Sequence, residues 1–325
     1  MSKIIGIGNA LVDVIVSIPD ESLLQNFSLP KGGMEMIDLA KKRELHSQIL
    51  HMKQILASGG STSNTIHGLA RLGAQTGYIG KVCRDEMGCF FENEMQKYNI
   101  KPHLVYSEVD TGIATTFMTA DAERTFATYL GAASTLTPAD IDETIFANYD
   151  YIHVEGYLIF NRELILYICQ TAKKHKMKIS MDMASFNLVH NNKDLISVML
   201  KDYVDIVFAN EEEAEAFTGK RGEEALAILS QYCPISIVKM GAKGSIANIH
   251  GESAFFRTND TQPVDTNGAG DIYAAGFLYG LMNHYPIQKI GQLATRLADE
   301  LILTVGAKLT DEQWEKILSE KNLFC

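Results

Sequence analysis

The sequence predicts an α/β fold, a mostly parallel central sheet with helices on both faces and a small β lid over one edge. Three observations carry this. From residue 151 onward, short β-branched runs alternate with helical periods, the repetition that builds a parallel sheet. Two glycine turns, at residues 57–64 and 265–271, each run straight into an apolar helix, which suits a sheet that binds ligands at the carboxyl ends of its strands. The stretches 11–38 and 103–130 are hairpin-rich and break the repetition, so they are assigned to a discontinuous lid inserted in one domain spanning 1–325.

Taken in order, residues 3–18 alternate β-branched with small residues and stop at Pro19, predicting one opening strand whose end bears Asn9 and Asp13. Residues 61–72 read as a helix entered through the first glycine turn, residues 80–98 hold a second, and residues 111–129 a hairpin turning near 121–124. Strands follow at 151–154, 178–182, 205–208 and 235–240, separated by helices near 161–175, 191–201 and 210–218. No repeat, low-complexity tract or long polar linker divides the chain.

Composition narrows the function. With 46% hydrophobic and 21% charged residues, the 325-residue chain can bury a large core, unlike disordered or collagen-like sequences. Its 29 Lys and Arg against 40 Asp and Glu give a net charge of −11 with no basic patch, so nucleic acid and anionic membranes are not expected partners. The five cysteines are scattered without a CxxC pair, as reduced thiols are. No run approaches the ~20 apolar residues of a membrane helix, and Asp13 interrupts the N-terminal apolar run. The expected location is the cytoplasm.

The strongest chemical signal is Asp265-Thr266-Asn267-Gly268-Ala269-Gly270-Asp271, followed by IYAAGFLYGLM. Small residues at a helix start let amide donors converge with the positive end of the helix dipole, where a transferring phosphoryl group would be stabilised. A carboxylate there, Asp271, would be repelled by phosphate unless it accepts a proton from an attacking hydroxyl. An N-cap with a glycine turn is the simpler explanation of a short fragment, but not of the full string. The second cluster, Ala57 to Asn64, can admit a ligand against Gly59 and Gly60, and Asn64 can grip hydroxyls together with Asn9 and Asp13. A capped helix explains this cluster equally well. GIGN near the start lacks the third glycine of a dinucleotide fingerprint, and histidines such as His46 and His51 lack a third metal ligand.

These motifs resemble the ribokinase-like (PfkB) carbohydrate kinases over nearly the whole chain. GGSTSN is similar to the family's N-terminal glycine signature and DTNGAGD to its C-terminal one. Asn210-Glu211-Glu212-Glu213 resembles its Asn-x-x-Glu motif, and Lys239-Met240-Gly241-Ala242-Lys243-Gly244 its nucleotide loop. The resemblance implies a ribokinase-like fold and ATP-dependent phosphoryl transfer with magnesium (Mg2+). It makes Asp271 the catalytic base, and Gly268, Ala269 and Gly270 the anion hole. Asn9, Asp13, Gly59, Gly60 and Asn64 would hold the acceptor. Asn210 and Glu213 would organise ATP phosphates and magnesium, Glu213 acting on the metal through water. Gly241, Gly244, Gly306 and Ala307 would line the nucleotide, and Lys239 and Lys243 would touch its phosphates, with a solvated strand-end lysine the alternative. Arg124, at the lid turn, resembles a family arginine that reaches the transferring group; a solvated turn arginine is the alternative.

Gly8-Asn9-Ala10-Leu11-Val12-Asp13, the run Ala57-Ser58-Gly59-Gly60-Ser61-Thr62, Thr111-Gly112-Ile113-Ala114 and Asn267 look more like the adenosine kinase branch than ribokinases, so adenosine or a related nucleoside is the expected acceptor. Tyr157 would offer its base an aromatic wall, although a packed core tyrosine fits as well. A sugar or sugar phosphate is the runner-up acceptor, and a catalytically silent nucleoside or sugar sensor the alternative of another class. Lid strands with open edges would permit a homodimer through the lid.

Overall fold

The computed structural model describes residues 2–121, 123–259 and 261–320. In chain order its strands are β1 (Lys3–Ile7), β2 (Leu11–Ser17), β3 (Met34–Met36), β4 (Gln54–Gly59), β5 (Gln75–Cys83), β6 (Ile100–Ser107), β7 (Gly112–Met118), β8 (Arg124–Tyr129), β9 (Tyr151–Val154), β10 (Lys178–Asp182), β11 (Ile206–Asn210), β12 (Ile235–Lys239), β13 (Ser245–Ile249) and β14 (Glu252–Phe256). The helices are α1 (Ser22–Asn26), α2 (Leu39–Ile49), α3 (Ser61–Arg71), α4 (Glu86–Lys97), α5 (Arg162–Lys174), α6 (Phe186–Asn191), α7 (Lys193–Asp202), α8 (Glu211–Thr218), α9 (Gly222–Leu229), α10 (Ala269–Met282), α11 (Ile287–Leu301) and α12 (Asp311–Glu320).

The larger sheet runs β14-β13-β12-β11-β10-β9-β1-β5-β6. It is parallel from β12 to β6, and the β13–β14 hairpin extends it antiparallel. Alternation along each strand feeds two cores. Ile4, Phe208 and Ile237 pack with Phe277, Leu293 and Trp314 under α10, α11 and α12. Their neighbours Ile5, Val207 and Val238 pack with Ile165, Ile168 and Met199 under α5 and α7. Burial on both faces is why these strands read as continuous apolar runs. No helix among the described residues is long and apolar enough to cross a membrane.

The smaller sheet, β3-β8-β7-β2-β4, differs from the expected lid in three ways. The opening segment is two strands, not one. β1 enters the large sheet, the chain turns at Gly8, Asn9 and Ala10, and β2 enters the small sheet; any Cβ on Gly8 would overlap Glu155, so glycine is needed at the crossover. Residues 103–107 belong to β6 and pair in parallel with β5, because their alternation suits a sheet edge as well as a hairpin. Residues 54–59, which lead into the first glycine turn, form β4 and pair antiparallel with β2, placing Gly59 opposite Leu11 and Ala57 opposite Asp13. The hairpin β7–β8 is as expected, Met118 facing Arg124.

α10 positions the site. Nearly all of its sequence AGDIYAAGFLYGLM is apolar or small, and it is buried on every side between α3 and α11. Close approach is made possible by glycine at each contact. A Cβ on Gly68 of α3 would lie 2.6 Å from Ile272 Cδ1 and 2.8 Å from the Ala275 Cβ, and one on Gly280 would lie 2.9 Å from Ile290 Cγ1. The first turns of α3 and α10 therefore meet side by side. Gly68→Val should push these helices apart and cost about 1–3 kcal/mol by overpacking, read as a lower urea midpoint with unchanged slope.

Candidate active site

Asp265 builds the turn that starts α10. Its Oδ1 accepts from the Asn267 amide at 2.9 Å and its Oδ2 from the Gly306 amide at 2.6 Å. Gly268 takes φ 75°, a left-handed conformation open to glycine, and Ala307 packs so closely that a Cβ on Gly268 would lie 2.7 Å from its own. Helix starts leave amides unpaired. Here the Ala269 amide returns to the Thr266 carbonyl and the Ile272 amide to Gly268, which leaves the amides of Gly270 and Asp271 free of hydrogen bonds to other described residues.

Asp271 stands at that focus. Ser61 Oγ donates to its Oδ1 at 2.8 Å, Asn64 Nδ2 to its Oδ2 at 3.0 Å, and Thr65 Oγ1 to its backbone carbonyl at 3.2 Å. Burial pushes its carboxyl up to about 6, with Asp182 adding to the rise and the Asn64 and Ser61 bonds opposing it. This is a group that can change protonation near neutral pH. Asn64 spends its amide nitrogen on Asp271, and its Oδ1 is buried with no donor among the described residues. A substrate hydroxyl set between Asn64 Oδ1 and the Asp271 carboxylate would satisfy both.

The acceptor side gathers Asn9, Asp13, Gly59 and Gly60 around that point. A Cβ on Gly59 would overlap the Asp13 carboxylate, and Gly60, at φ 90°, lies against the Asn9 carbonyl. Burial pushes Asp13 up to about 7, with the Lys308 ammonium opposing; Lys308 Nζ also donates to Ser58 on β4. Beneath the turn lies Glu155, which accepts from Asn9 Nδ2 at 2.5 Å and from the Asn9 and Thr62 amides at 3.3 and 3.5 Å. Burial pushes it up to about 7 despite those bonds. Tyr157 is already engaged, its hydroxyl donating to the Ala184 carbonyl at 3.4 Å and its ring packed with the cluster on the α5 face.

Across the α10 start opens a cavity of about 640 Å³, lined by Lys239, Gly241, Gly244, Ala269, Gly270 and Asn210, and closed on its far side by α11. Gly241 and Gly244 have φ 58° and 99°; a Cβ on Gly241 would meet nothing, whereas one on Gly244 would strike the Phe256 carbonyl. Asn210 and Glu213 form a capping box for α8, with Glu213 Oε2 accepting from the Asn210 amide at 2.7 Å and Oε1 from Asn210 Nδ2 at 2.8 Å. Glu213 is buried, which together with Asp182 raises its carboxyl. Gly306 and Ala307 depart from expectation: they lie behind the α10 turn, bonded to Asp265 and packed on Gly268, and Thr295, Ala298 and Ile302 of the α11 region line the cavity instead.

Arg124 is not a solvated turn residue. Its Nη2 lies 2.6 Å from Asp265 Oδ2, both side chains are almost wholly covered, and its Nη1 has no partner among the described residues. Glu155, Asp182 and Lys308 escaped the sequence reading. Asp182 and Glu155 carried a readable signal, since each is an acid at the end of an apolar strand, where this class of sheet binds ligands. Lys308 carried none.

Residues 28–314 match the profile of the pfkB family carbohydrate kinases. The crystal structure of an adenosine kinase from Sinorhizobium meliloti is 30% identical, superposes with a TM-score of 0.87, and covers 98% of this chain and 99% of its own. The adenosine kinase of Saccharomyces cerevisiae is 27% identical over 340 residues, 96% of this chain and 98% of its own. The 5-dehydro-2-deoxygluconokinase of Geobacillus kaustophilus is 29% identical over 262 residues, 75% of this chain and 78% of its own.

Glu155 gives a stability prediction. Unfolded, it releases its proton near 4.5; folded, it holds it to about 7. The folded state therefore binds more protons between these values, and stability falls as pH rises through that window by about 2–3 kcal/mol. Glu155→Gln, neutral throughout, should lose this component, so urea titrations at pH 5 and pH 8 should differ less for the variant than for the parent.

Proposed function

Because the chain belongs to the pfkB family of carbohydrate kinases, we propose that it transfers the γ-phosphoryl group of ATP to a primary hydroxyl of a ribonucleoside, with adenosine the favoured acceptor. The observation that carries the reading is the pairing of Asp271 with Asn64. One carboxylate at the α10 start and one buried amide oxygen without a donor converge where a hydroxyl would lie. Asp271 takes the hydroxyl proton, the acceptor oxygen forms its bond to the γ-phosphorus, the bond from phosphorus to the bridging oxygen breaks, and ADP leaves with that electron pair. The Gly270 and Asp271 amides stabilise charge on the equatorial oxygens.

The nucleotide would occupy the cavity of about 640 Å³ beside these amides, where Gly241 and Gly244 contribute to the lining. Asn210 lines that cavity, and Glu213, bonded to Asn210 through both oxygens, would reach a magnesium ion through water. The ion would supply charge neutralisation on the phosphates. The small sheet acts as a lid: β2 carries Asp13 to the acceptor and β8 carries Arg124 to Asp265, so closure completes the acceptor site and excludes water.

Adenosine is favoured because relatives named adenosine kinase match the chain end to end, the small sheet included, and because Asn267 and the run from Gly8 to Asp13 resemble that branch. A sugar acid is the second reading, favoured by the gluconokinase relatives. ADP release from MgATP with adenosine, inosine, guanosine, ribose, fructose, fructose 6-phosphate and 5-dehydro-2-deoxygluconate separates them. Adenosine should give the highest kcat/KM, and the highest value with the sugar acid would move the assignment to that class.

Asp271→Asn preserves shape and should lower kcat by about 10²–10⁴-fold without lowering the melting temperature. With Asp271 at about 6 and Asp13 at about 7 in the free enzyme, kcat/KM should rise with pH through 6 to 7 and then level, since the base must be ionised. A profile flat from pH 5 to 8 would remove Asp271 as the base.

A further inference from the structure

Building on the phosphoryl-transfer reading, we propose that Lys239, held in place by Asp182, is a side-chain cation that neutralises the transferring group. Registry puts the pair together. Asp182 pairs with Phe208, and Asn210 two residues on pairs with Lys239, so all three polar side chains end their strands on the face covered by α10. Lys239 Nζ lies 2.8 Å from Asp182 Oδ2, and Asp182 Oδ1 accepts from the Ala184 amide at 2.9 Å, which fixes the carboxylate. Side-chain exposures of 17% and 12% place both within the fold.

An ammonium has three N–H donors. One reaches Asp182, and the remaining two have no acceptor among the described residues. Lys239 lines the 640 Å³ cavity, and its Nζ stands 3.0 Å from where a Cβ on Gly270 would be. Its free donors thus sit beside the very amides that form the anion hole. A side chain at 270 would crowd the ammonium. Arg124 stands on the other side of the turn, against Asp265, the acid that shapes the start of α10.

Asp182 acts through Lys239 and is a positioning residue. It keeps a long flexible chain at one point, so less order is lost when phosphate arrives. The pair also explains how buried acids at 182, 213 and 271 coexist: Lys239 favours the charged form of each.

The test is calorimetric binding of MgADP alone and of MgADP with aluminium fluoride, a mimic of the transferring group, to the parent, Lys239→Met, Asp182→Asn, the double variant and Arg124→Met. Lys239→Met should weaken the fluoride complex at least about tenfold, the loss of one charge-assisted bond, while MgADP stays within about twofold. Asp182→Asn should act in the same direction, and the double variant should be no worse than Lys239→Met. The double variant removes both members of the Lys239–Asp182 pair, so no unpaired Asp182 carboxylate is left behind and it reports even where a single variant folds poorly. Unchanged fluoride binding in Lys239→Met, a loss found only in Arg124→Met, or additive losses at 182 and 239 would overturn the proposal. No acceptor is needed for this reading, so a parent that shows the pattern yet ignores every hydroxyl in the panel would overturn the acceptor assignment alone.

Discussion

The site depends on how closely α3 and α10 approach. Asp271 is useful only because Ser61 and Asn64, from another helix about 210 residues earlier in the chain, reach its two oxygens. That reach is possible because α3 crosses α10 at Gly68, where there is no Cβ to hold the helices apart. Both helices also start close together, so the side chains of the first turn of α3 meet the free amides at the start of α10. Interiors are close-packed and bistable rather than deformable, so an error of a few tenths of an ångström at Gly68 is transmitted to the hydroxyl position.

Around that contact the chain concentrates acids beside the proposed phosphate site, in a molecule whose net charge is already −11. The conflict is resolved locally. Asp13 faces Lys308, Asp182 faces Lys239 and Asp265 faces Arg124, each acid having one cation assigned to it. Glu155 has none and is accommodated by hydrogen bonds from Asn9 and Thr62, with burial favouring its neutral form. A buried ion pair is weak evidence for stability, because desolvation offsets most of the attraction. Under the proposed transfer, these pairs act as stored positive charge: each cation is desolvated in advance, so an incoming anion would find it without reorganising water.

Much of this was legible in the sequence. The βα repetition from residue 151, the α3 and α10 starts and the β7–β8 hairpin all follow from local patterns, since periodicity and glycine placement are local properties. What escaped depended on long-range pairing. β4 carries Gln54 and Ser58 and an exposed Ile55, so its strand character comes from hydrogen bonding to β2 rather than from its own composition. Residues 103–107 are as compatible with either sheet edge until the register with β5 is known. Gly306 and Ala307 show the same limit at the site: a small pair suits close approach, but only the fold decides whether the thing approached is a ligand or, as here, the Gly268 turn. Lys308, whose contact is with a strand some 250 residues away, offers no local sign at all.

Arg124 joins the two sheets into one device. It begins β8 of the small sheet and pairs with Asp265, the residue whose other bonds shape the α10 turn through Asn267 and Gly306. The position of the small sheet and the shape of the anion hole are therefore coupled through a single carboxylate. If the small sheet lifts, Asp265 loses its cation while remaining buried, a cost that a desolvated acid cannot recover from solvent. Closure and a well-formed phosphate cradle thus favour each other. An acceptor that draws Asp13 and β2 inward would tighten the cradle for the phosphoryl group before any of its atoms touch the nucleotide.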